Sequence, residues 1–364
     1  MVTERDAFFM RKALLLAERG RGRTSPNPMV GAVVVDRDGV LIGRGAHEFA
    51  GGAHAEVHAL ASAGAGTIGA TLYCTLEPCS YAGRTGPCAP LVVQAGIARV
   101  VVATEDPNPR VAGRGLQLLR KHGVEVASGV LAADAERLNG PFFMIMRARR
   151  PFVTLKIALS ADGKVAGATG EPTLLTSGSA NRQVHRDRAE TDAIAIGSGT
   201  VLADDPRLTA RGAYRARRLT RIIFDSRLRT PPSARILRTL DAGPVIIIGD
   251  PAAAREHPAA VKALQEAGAV MEFPRDGGLR AVLTGLAERG VTAVIVEGGP
   301  TLHRAFWDAG LADRVQIYVT PHVLGDQGVP WMPVEVMTSS RVTARTSRRL
   351  GVDTLLEAYV HWSD

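Results

Sequence analysis

Cysteine is scarce in this chain. There are three, Cys74, Cys79 and Cys88, in 364 residues, and so small and odd a number argues against a disulfide scaffold. Aromatic residues make up only 5%. Nowhere do they interleave with a run of Lys and Arg, so the usual footprint of a nucleic-acid binder is missing. No apolar run approaches the ~18 residues of a membrane span. The opening stretch T-E-R-D-A-F-F-M-R-K-A-L-L-L-A-E-R carries acids and bases throughout, and so lacks the apolar core of a signal peptide. Lysine is rare too, since nearly all of the 44 basic residues are Arg. These absences predict a cytoplasmic protein with neither membrane nor nucleic acid as partner.

What is present is ordinary for a globular chain: 46% hydrophobic and 22% charged residues. The length suggests two domains. A formal net charge of +8 is a surface bias that also suits anionic ligands such as phosphates. The first segment reads as an amphipathic helix with Thr3 at its N-cap and Asp6 three residues on. Two apolar runs flanking Asp38-Gly39, within 29–45, predict a hairpin. Helical patterns at 54–63, 87–95 and 115–122 alternate with strand patterns at 71–76, 99–104 and 124–130. This is the order of a layered α/β sheet.

A basic stretch ending in proline, R-A-R-R-P at 147–151, is the expected boundary, giving domains 1–147 and 151–364. Beyond it, near-continuous apolar runs at 152–159, 192–197, 221–225, 244–249, 292–297 and 314–320 predict strands buried on both faces. Two glycine turns, G-S-G-T at 197–200 and G-G-P-T at 298–301, each follow a strand and could open a helix whose N–H groups meet a phosphate. Neither is G-x-G-x-x-G.

The chemistry-bearing residues cluster early. H-A-E at 54–56 and E-P-C-S-Y-A-G-R-T-G-P-C at 77–88 supply His54, Cys79 and Cys88 as three ligands, leaving a fourth position open as a catalytic zinc site requires. Glu56, two residues from His54, is the expected catalytic acid/base. It would carry a proton from a zinc-activated water to a ring nitrogen and then to a leaving amine. Pro78-Cys79 is expected to open a helix whose N–H groups stabilise the thiolate. Cys74, mid-strand, reads as a buried apolar residue. H-x-E followed by P-C is the pattern of zinc nucleobase deaminases. By itself it leaves the base, or an RNA substrate, open, with the second half then a non-catalytic binding module.

The eight residues between Cys79 and Cys88 narrow the choice, because nucleoside and tRNA deaminases place only two there. Together with T-S-P-N-P-M-V-G-A-V-V-V at 24–35 and H-E-F-A-G-G-A-H-A-E at 47–56, this spacing resembles the deaminase half of the bifunctional riboflavin-biosynthesis deaminase/reductase family. L-K-I-A-L-S-A-D-G-K at 155–164, T-S-G-S-A-N-R at 176–182, G-S-G-T-V-L-A-D-D-P-R-L-T-A-R at 197–211 and E-G-G-P-T-L at 297–302 resemble its reductase half.

The resemblance implies a cytidine-deaminase-like three-layer α/β/α domain, then a dihydrofolate-reductase-like α/β domain, with zinc (Zn2+) and NADPH as cofactors. It implies a phosphorylated pyrimidine as the small-molecule substrate and admits a homo-oligomer. Asn27 and His47 would meet the pyrimidine. The cofactor would meet Ala158, Leu174, Thr200, Asp204, Ser226 and the segment Gly299, Pro300, Thr301, Leu302, His303, Arg304 and Ala305. The reductase substrate would meet Lys156, Pro172, Arg188, Leu208, Arg211 and Glu297. Chemically, Arg188 and Arg211 suit a bidentate grip on a phosphate, and Lys156 within an apolar strand must face either the pocket or an acid, with the pocket preferred. Where the family carries Ser and Trp after G-E, this chain has Pro172 and Leu174.

Overall fold

Thr3 opens the first helix, α1 (Glu4–Ala17), through a reciprocal cap: its hydroxyl accepts from the Asp6 N–H, and the Asp6 carboxylate accepts from the Thr3 N–H. Asp6 also accepts from Tyr73 Oη at 3.0 Å and from Arg99 Nη1 at 2.7 Å. Burial pushes this carboxyl up, but Arg99, Thr3 and Tyr73 together hold it well below the usual carboxylate range. A depressed folded pKa contributes stability above the unfolded value of about 3.9 and loses it as pH falls below that value. Asp6→Asn is therefore expected to lower stability at neutral pH and to flatten its dependence on pH between about 5 and 2, as followed by denaturant titration across that range.

The computed structural model describes residues 2–81, 86–167, 174–274, 278–332 and 335–360. They divide into two compact units, Met1–Arg149 and Arg150–Asp364. In the first, α1 is followed by β1 (Gly31–Val35), β2 (Leu41–Ala46), α2 (Ala55–Ala63), β3 (Thr71–Leu76), α3 (Cys88–Gln94), β4 (Arg99–Thr104), α4 (Arg114–Lys121), β5 (Glu125–Ser128), α5 (Ala132–Leu138) and α6 (Gly140–Ala148). The sheet order is β2-β1-β3-β4-β5, with β1 antiparallel to both neighbours and β3, β4 and β5 parallel.

Side-chain alternation sorts the two faces. Val33, Val35, Tyr73 and Val101 pack with Phe9, Met10 and Ala13 of α1. Ala32, Val34, Leu72, Cys74 and Val102 pack with Ala55, Ala59, Val92 and Leu116 of the helices opposite. The result is three layers, and Cys74 is the buried apolar residue its position suggested. Gly45 lets α2 lie close on the hairpin, since a Cβ there would stand 2.0 Å from Ala55 O. That close approach sets the N-terminus of α2, where His54 and Glu56 sit.

The second unit comprises β6 (Phe152–Leu159), β7 (Lys164–Ala166), α7 (Gly178–Glu190), β8 (Ala193–Gly197), α8 (Ser198–Asp204), β9 (Thr220–Phe224), β10 (Val245–Ile248), α9 (Pro251–Glu256), α10 (Pro258–Glu266), β11 (Val270–Glu272), α11 (Gly278–Glu288), β12 (Ala293–Val296), α12 (Pro300–Asp308), β13 (Arg314–Val319), β14 (Val329–Pro330), α13 (Glu335–Thr338), β15 (Val342–Leu350) and β16 (Asp353–Val360). Nine strands form one sheet in the order β11-β10-β9-β8-β12-β6-β13-β16-β15. All its pairs from β11 to β13 are parallel, and β16 and β15 add an antiparallel end. Both faces of the parallel part are covered. Ile194, Ile196, Ile223 and Ile247 line one core, and Ala193, Ala195, Ile222 and Ile246 the other. This is why these strands read as continuous apolar runs. Both glycine turns open helices after strands: Gly197 caps α8 and Gly299 caps α12.

Candidate functional site

Each unit carries its own cluster. In the first unit, His54 is the N-cap residue of α2 and Cys88 the first residue of α3. Cys79 lies in the irregular chain between β3 and α3. No helix opens at Pro78-Cys79, contrary to expectation. The helix expected over 87–95 does open, at Cys88, and the Cys88 N–H donates to Cys79 Sγ at 3.4 Å while the Ala89 N–H donates to Cys79 O at 2.9 Å. A helix N-terminus does stabilise the Cys79 thiolate, but it is supplied from beyond the eight-residue insertion.

His54 Nδ1 lies 3.2 Å from Cys88 Sγ and 3.6 Å from Cys79 Sγ, and all three donor atoms fall within 4.8 Å of one another. Zinc bonds of about 2.3 Å to sulfur and 2.0 Å to nitrogen, at a tetrahedral angle, require N···S separations of about 3.5 Å. The donor set fits zinc in both type and spacing. The hydrogen bond from the Cys88 thiol, with help from His54 and the Cys88 N–H, lowers Cys79 to about 4 against the opposing effect of burial. The same hydrogen bond, together with burial, pushes Cys88 up.

Glu56, in the first turn of α2, is only 4% exposed. Burial raises it to about 7, against its backbone hydrogen bond and His54. A carboxyl poised near neutrality can both take and return a proton. Asn27 and His47, far apart in sequence, meet at 3.2 Å, and His47 Nδ1 faces Ala53 O at 3.0 Å. With Nδ1–H donating to that carbonyl, Nε2 accepts from the Asn27 amide. The His47 ring packs edge-on to His54 with centroids 5.5 Å apart, which puts both residues beside the cluster. Asp106 is a carboxyl the sequence reading passed over. It is buried after β4 and raised to about 6, chiefly by burial, with Glu77 and Cys79 adding to the shift. Its only signal was D-P-N-P at 106–109, a strand-end turn.

In the second unit Lys156 and Ala158 lie on β6, Thr200, Ser226, Glu297 and Gly299 follow the carboxyl ends of parallel strands, where open α/β sheets place ligands, and Arg188 reaches Glu297 from α7. Lys156 Nζ stands 3.5 Å from Glu297 Oε2 and 5.5 Å above the Tyr318 ring, so it has an acid partner. Arg188 is not free to grip a phosphate with its fork. Nε and Nη2 donate to the two Glu297 oxygens at 2.7 Å each, and Nη1 donates to Thr209 O at 3.3 Å. Burial alone would raise Glu297, but Arg188 and Lys156 pull it down to about 2. Arg211 is exposed, and its guanidinium Nη2 lies 3.3 Å from His185 Nε2.

Two of the named residues turn their side chains into the core. Leu208 is 4% exposed and packs into the core with Ile194 and Ile223. His303 is fully buried, 3.0 Å from Val296 O through Nε2, and accepts from Trp331 Nε1 through Nδ1. Neither side chain is open to a ligand in this arrangement. Burial lowers His303 to about 4, so its ring is neutral.

Ala158, Thr200, Gly299, Pro300 and Leu302 are half-buried, whereas Asp204, Ser226, Thr301, Arg304 and Ala305 are exposed. Arg304 pairs with Asp308 at 3.4 Å. Leu174 is 80% exposed. Pro172 lies outside the described residues.

Residues 3–104 match the cytidine and deoxycytidylate deaminase zinc-binding region, and residues 151–356 match the RibD C-terminal domain. The chain is a two-part enzyme, a zinc-dependent deaminase followed by an NADPH-dependent reductase. It is 42% identical over 326 residues to riboflavin biosynthesis protein RibD of Aquifex aeolicus (strain VF5), covering 90% of each. It is 42% identical over 332 residues to that of Escherichia coli (strain K12), covering 88% of this chain and 89% of the relative. Among solved structures, Acinetobacter baumannii RibD (form 1) superposes with a TM-score of 0.85 at 36% identity over 99% of both chains. A Thermotoga maritima diaminohydroxyphosphoribosylaminopyrimidine deaminase/5-amino-6-(5-phosphoribosylamino)uracil reductase superposes with a TM-score of 0.83 at 33% identity, over 98% of this chain and 99% of that one. The chain belongs to the RibD family, the bifunctional deaminase/reductases of riboflavin biosynthesis.

Proposed function

We propose that the deaminase unit acts on 2,5-diamino-6-ribosylamino-4(3H)-pyrimidinone 5′-phosphate, replacing its 2-amino group by oxygen with release of ammonia. The reductase unit then converts the ribosyl group to ribityl, giving 5-amino-6-ribitylamino-uracil 5′-phosphate. One observation carries the reading: His54, Cys79 and Cys88 converge beside the buried Glu56 despite the eight-residue interval between the cysteines.

Zinc held by those three side chains supplies a Lewis acid that brings a water molecule's pKa towards neutrality. Glu56 takes the water proton, passes it to the ring nitrogen and delivers one to the departing amine. Asn27 and His47 hold the pyrimidine edge. In the second unit bound NADPH would be the source of the hydride that reduces the ribosyl group. Lys156, Arg188 and Glu297 form a cation–anion–cation group for the sugar hydroxyls. Arg211, which has no carboxylate partner among the described residues, takes the phosphate. Thr200, Asp204, Ser226 and the Gly299–Ala305 segment hold the cofactor.

No described helix is long and apolar enough to cross a membrane. We assign the enzyme to the cytoplasm, with a small phosphorylated pyrimidine and no nucleic acid as its partner. Retention on RNA at low salt would contradict that assignment. Its mass in solution, one chain or a multiple, is read by light scattering.

Removing the metal gives a direct test. Stripping zinc with a chelator is expected to abolish ammonia release from the diamino substrate. It should leave NADPH oxidation intact when the already deaminated compound is supplied, and zinc readdition should restore the first step. NADPH consumption without prior deamination would overturn the order of steps.

A further inference from the structure

Glu77 directly follows β3, two residues before the ligand Cys79, and is 3% exposed. Its carboxylate is bonded to backbone N–H groups from two places. Oε2 accepts from Asp106 at 3.3 Å and Gly113 at 2.9 Å, and Oε1 accepts from Gly115 at 2.8 Å and Leu116 at 3.3 Å. No Lys or Arg pairs with it among the described residues. A buried anion in this position is held by charge-assisted bonds to the first turn of α4 and by that helix's dipole.

The same turn presses on the chain that leads to Cys79. A Cβ on Gly115 would stand 1.9 Å from Pro78 O. Cys79 belongs to no helix or strand, so nothing in regular structure fixes it. On one side it is tied to Cys88 and Ala89. On the other it depends on Pro78, which Glu77 and α4 clamp between them.

We propose that Glu77 is a positioning residue of the zinc centre: by fastening the first turn of α4 against Pro78, it fixes where Cys79 Sγ stands relative to His54 and Cys88. Partners behind a metal ligand that orient it typically carry 10–100-fold of metal affinity. The inference rests on His54, Cys79 and Cys88 being the zinc ligands.

The test compares Glu77→Gln, Gly115→Ala and Gln117→Gly in the full chain. Gln keeps the size of Glu77 but loses its charge and turns an NH2 group towards N–H donors. Ala at 115 pushes on Pro78 directly. Gln117 is exposed on α4, so glycine there weakens the helix without touching the clamp. Glu77→Gln and Gly115→Ala are expected to raise the zinc Kd by about 10–100-fold. Both should also shift the visible absorption bands of the cobalt-substituted protein. Gln117→Gly should leave affinity and spectrum unchanged, and reduction of the deaminated substrate should stay normal in all three. Should Glu77→Gln fail to fold its deaminase unit, Gly115→Ala decides alone. An unaltered Kd and cobalt spectrum in Glu77→Gln would overturn the proposal, as would a Gln117→Gly variant that reproduces the loss. If the unsubstituted protein showed no cobalt–thiolate absorption at all, the ligand assignment would fall first, and the role of Glu77 with it.

Discussion

Glu56→Gln is expected to slow deamination by about 10²–10⁴-fold while zinc content and the reduction of deaminated substrate stay at their normal levels. Glu56 is almost fully buried in the first turn of α2, beside but not among the three ligand atoms. Gln fills the same volume and keeps a hydrogen-bonding end, so the helix and the metal cluster have no reason to move. What it cannot do is accept the water proton and return it to the amine. The two activities of one preparation provide the control: ammonia release should collapse and NADPH oxidation on the deaminated compound should not. Deamination at full rate in this variant would refute the assignment of Glu56. Loss of zinc alongside activity would show that Glu56 supports the metal.

The largest effect on stability is expected in the second unit, at Arg150 and Asp313. Asp313 is fully buried and accepts from Arg150 Nη1 at 2.7 Å, Arg150 Nη2 at 2.8 Å and the Val153 N–H at 2.8 Å. Its backbone N–H donates to Val153 O, and its carbonyl accepts from the Val360 N–H, so it joins β6, β13 and β16. Arg150→Met would leave this carboxylate buried without its cation, at a cost of about 3–5 kcal/mol. For a unit of this size that lowers the midpoint of thermal unfolding by about 6–20 °C. Arg150→Met combined with Asp313→Leu should recover much of the loss, because replacing both partners removes the unpaired charge. Calorimetry on the two variants measures both numbers.

Much of this architecture was legible in the sequence because burial leaves a period. The runs at 152–159, 192–197, 221–225, 244–249, 292–297 and 314–320 are strands covered on both faces, where alternation vanishes and only apolar length remains. The hairpin around Asp38-Gly39 and the reciprocal cap at Thr3 and Asp6 are local rules with local signals. The terminal hairpin of β15 and β16 went unseen. V-T-A-R-T-S-R-R-L forms the outer edge of the sheet and is exposed from Ala344 to Arg349, so it carries no apolar pattern to read.

In the deaminase cluster, residue type and order named His54, Glu56, Cys79 and Cys88, because zinc chemistry restricts which side chains can serve. They could not show that no helix opens at Pro78-Cys79, or that Cys79 is met instead by the N-terminus of the helix beginning at Cys88. Nor could they show that Glu77 and Asp106 are buried acids rather than turn residues, since an acid's partners there are backbone N–H groups with no sequence identity. The same blindness hid the closure of Arg188 on Glu297, a contact made across the strand order, and the inward turn of His303, which reads in sequence like any helix-surface histidine.

The position of β6 has a consequence for how the chain is made. It is the first strand of the second unit, yet its two neighbours, β12 and β13, lie at 293–296 and 314–319. During synthesis at about 5–20 residues per second, β6 leaves the ribosome and waits on the order of ten seconds for either edge to be covered. The first unit has no such delay, because β1, β2 and β3 follow one another within residues 31–76. The deaminase unit can close while the reductase unit is still growing. A chain interrupted before residue 314 would expose the apolar run F-V-T-L-K-I-A-L along one open edge, a template for aggregation.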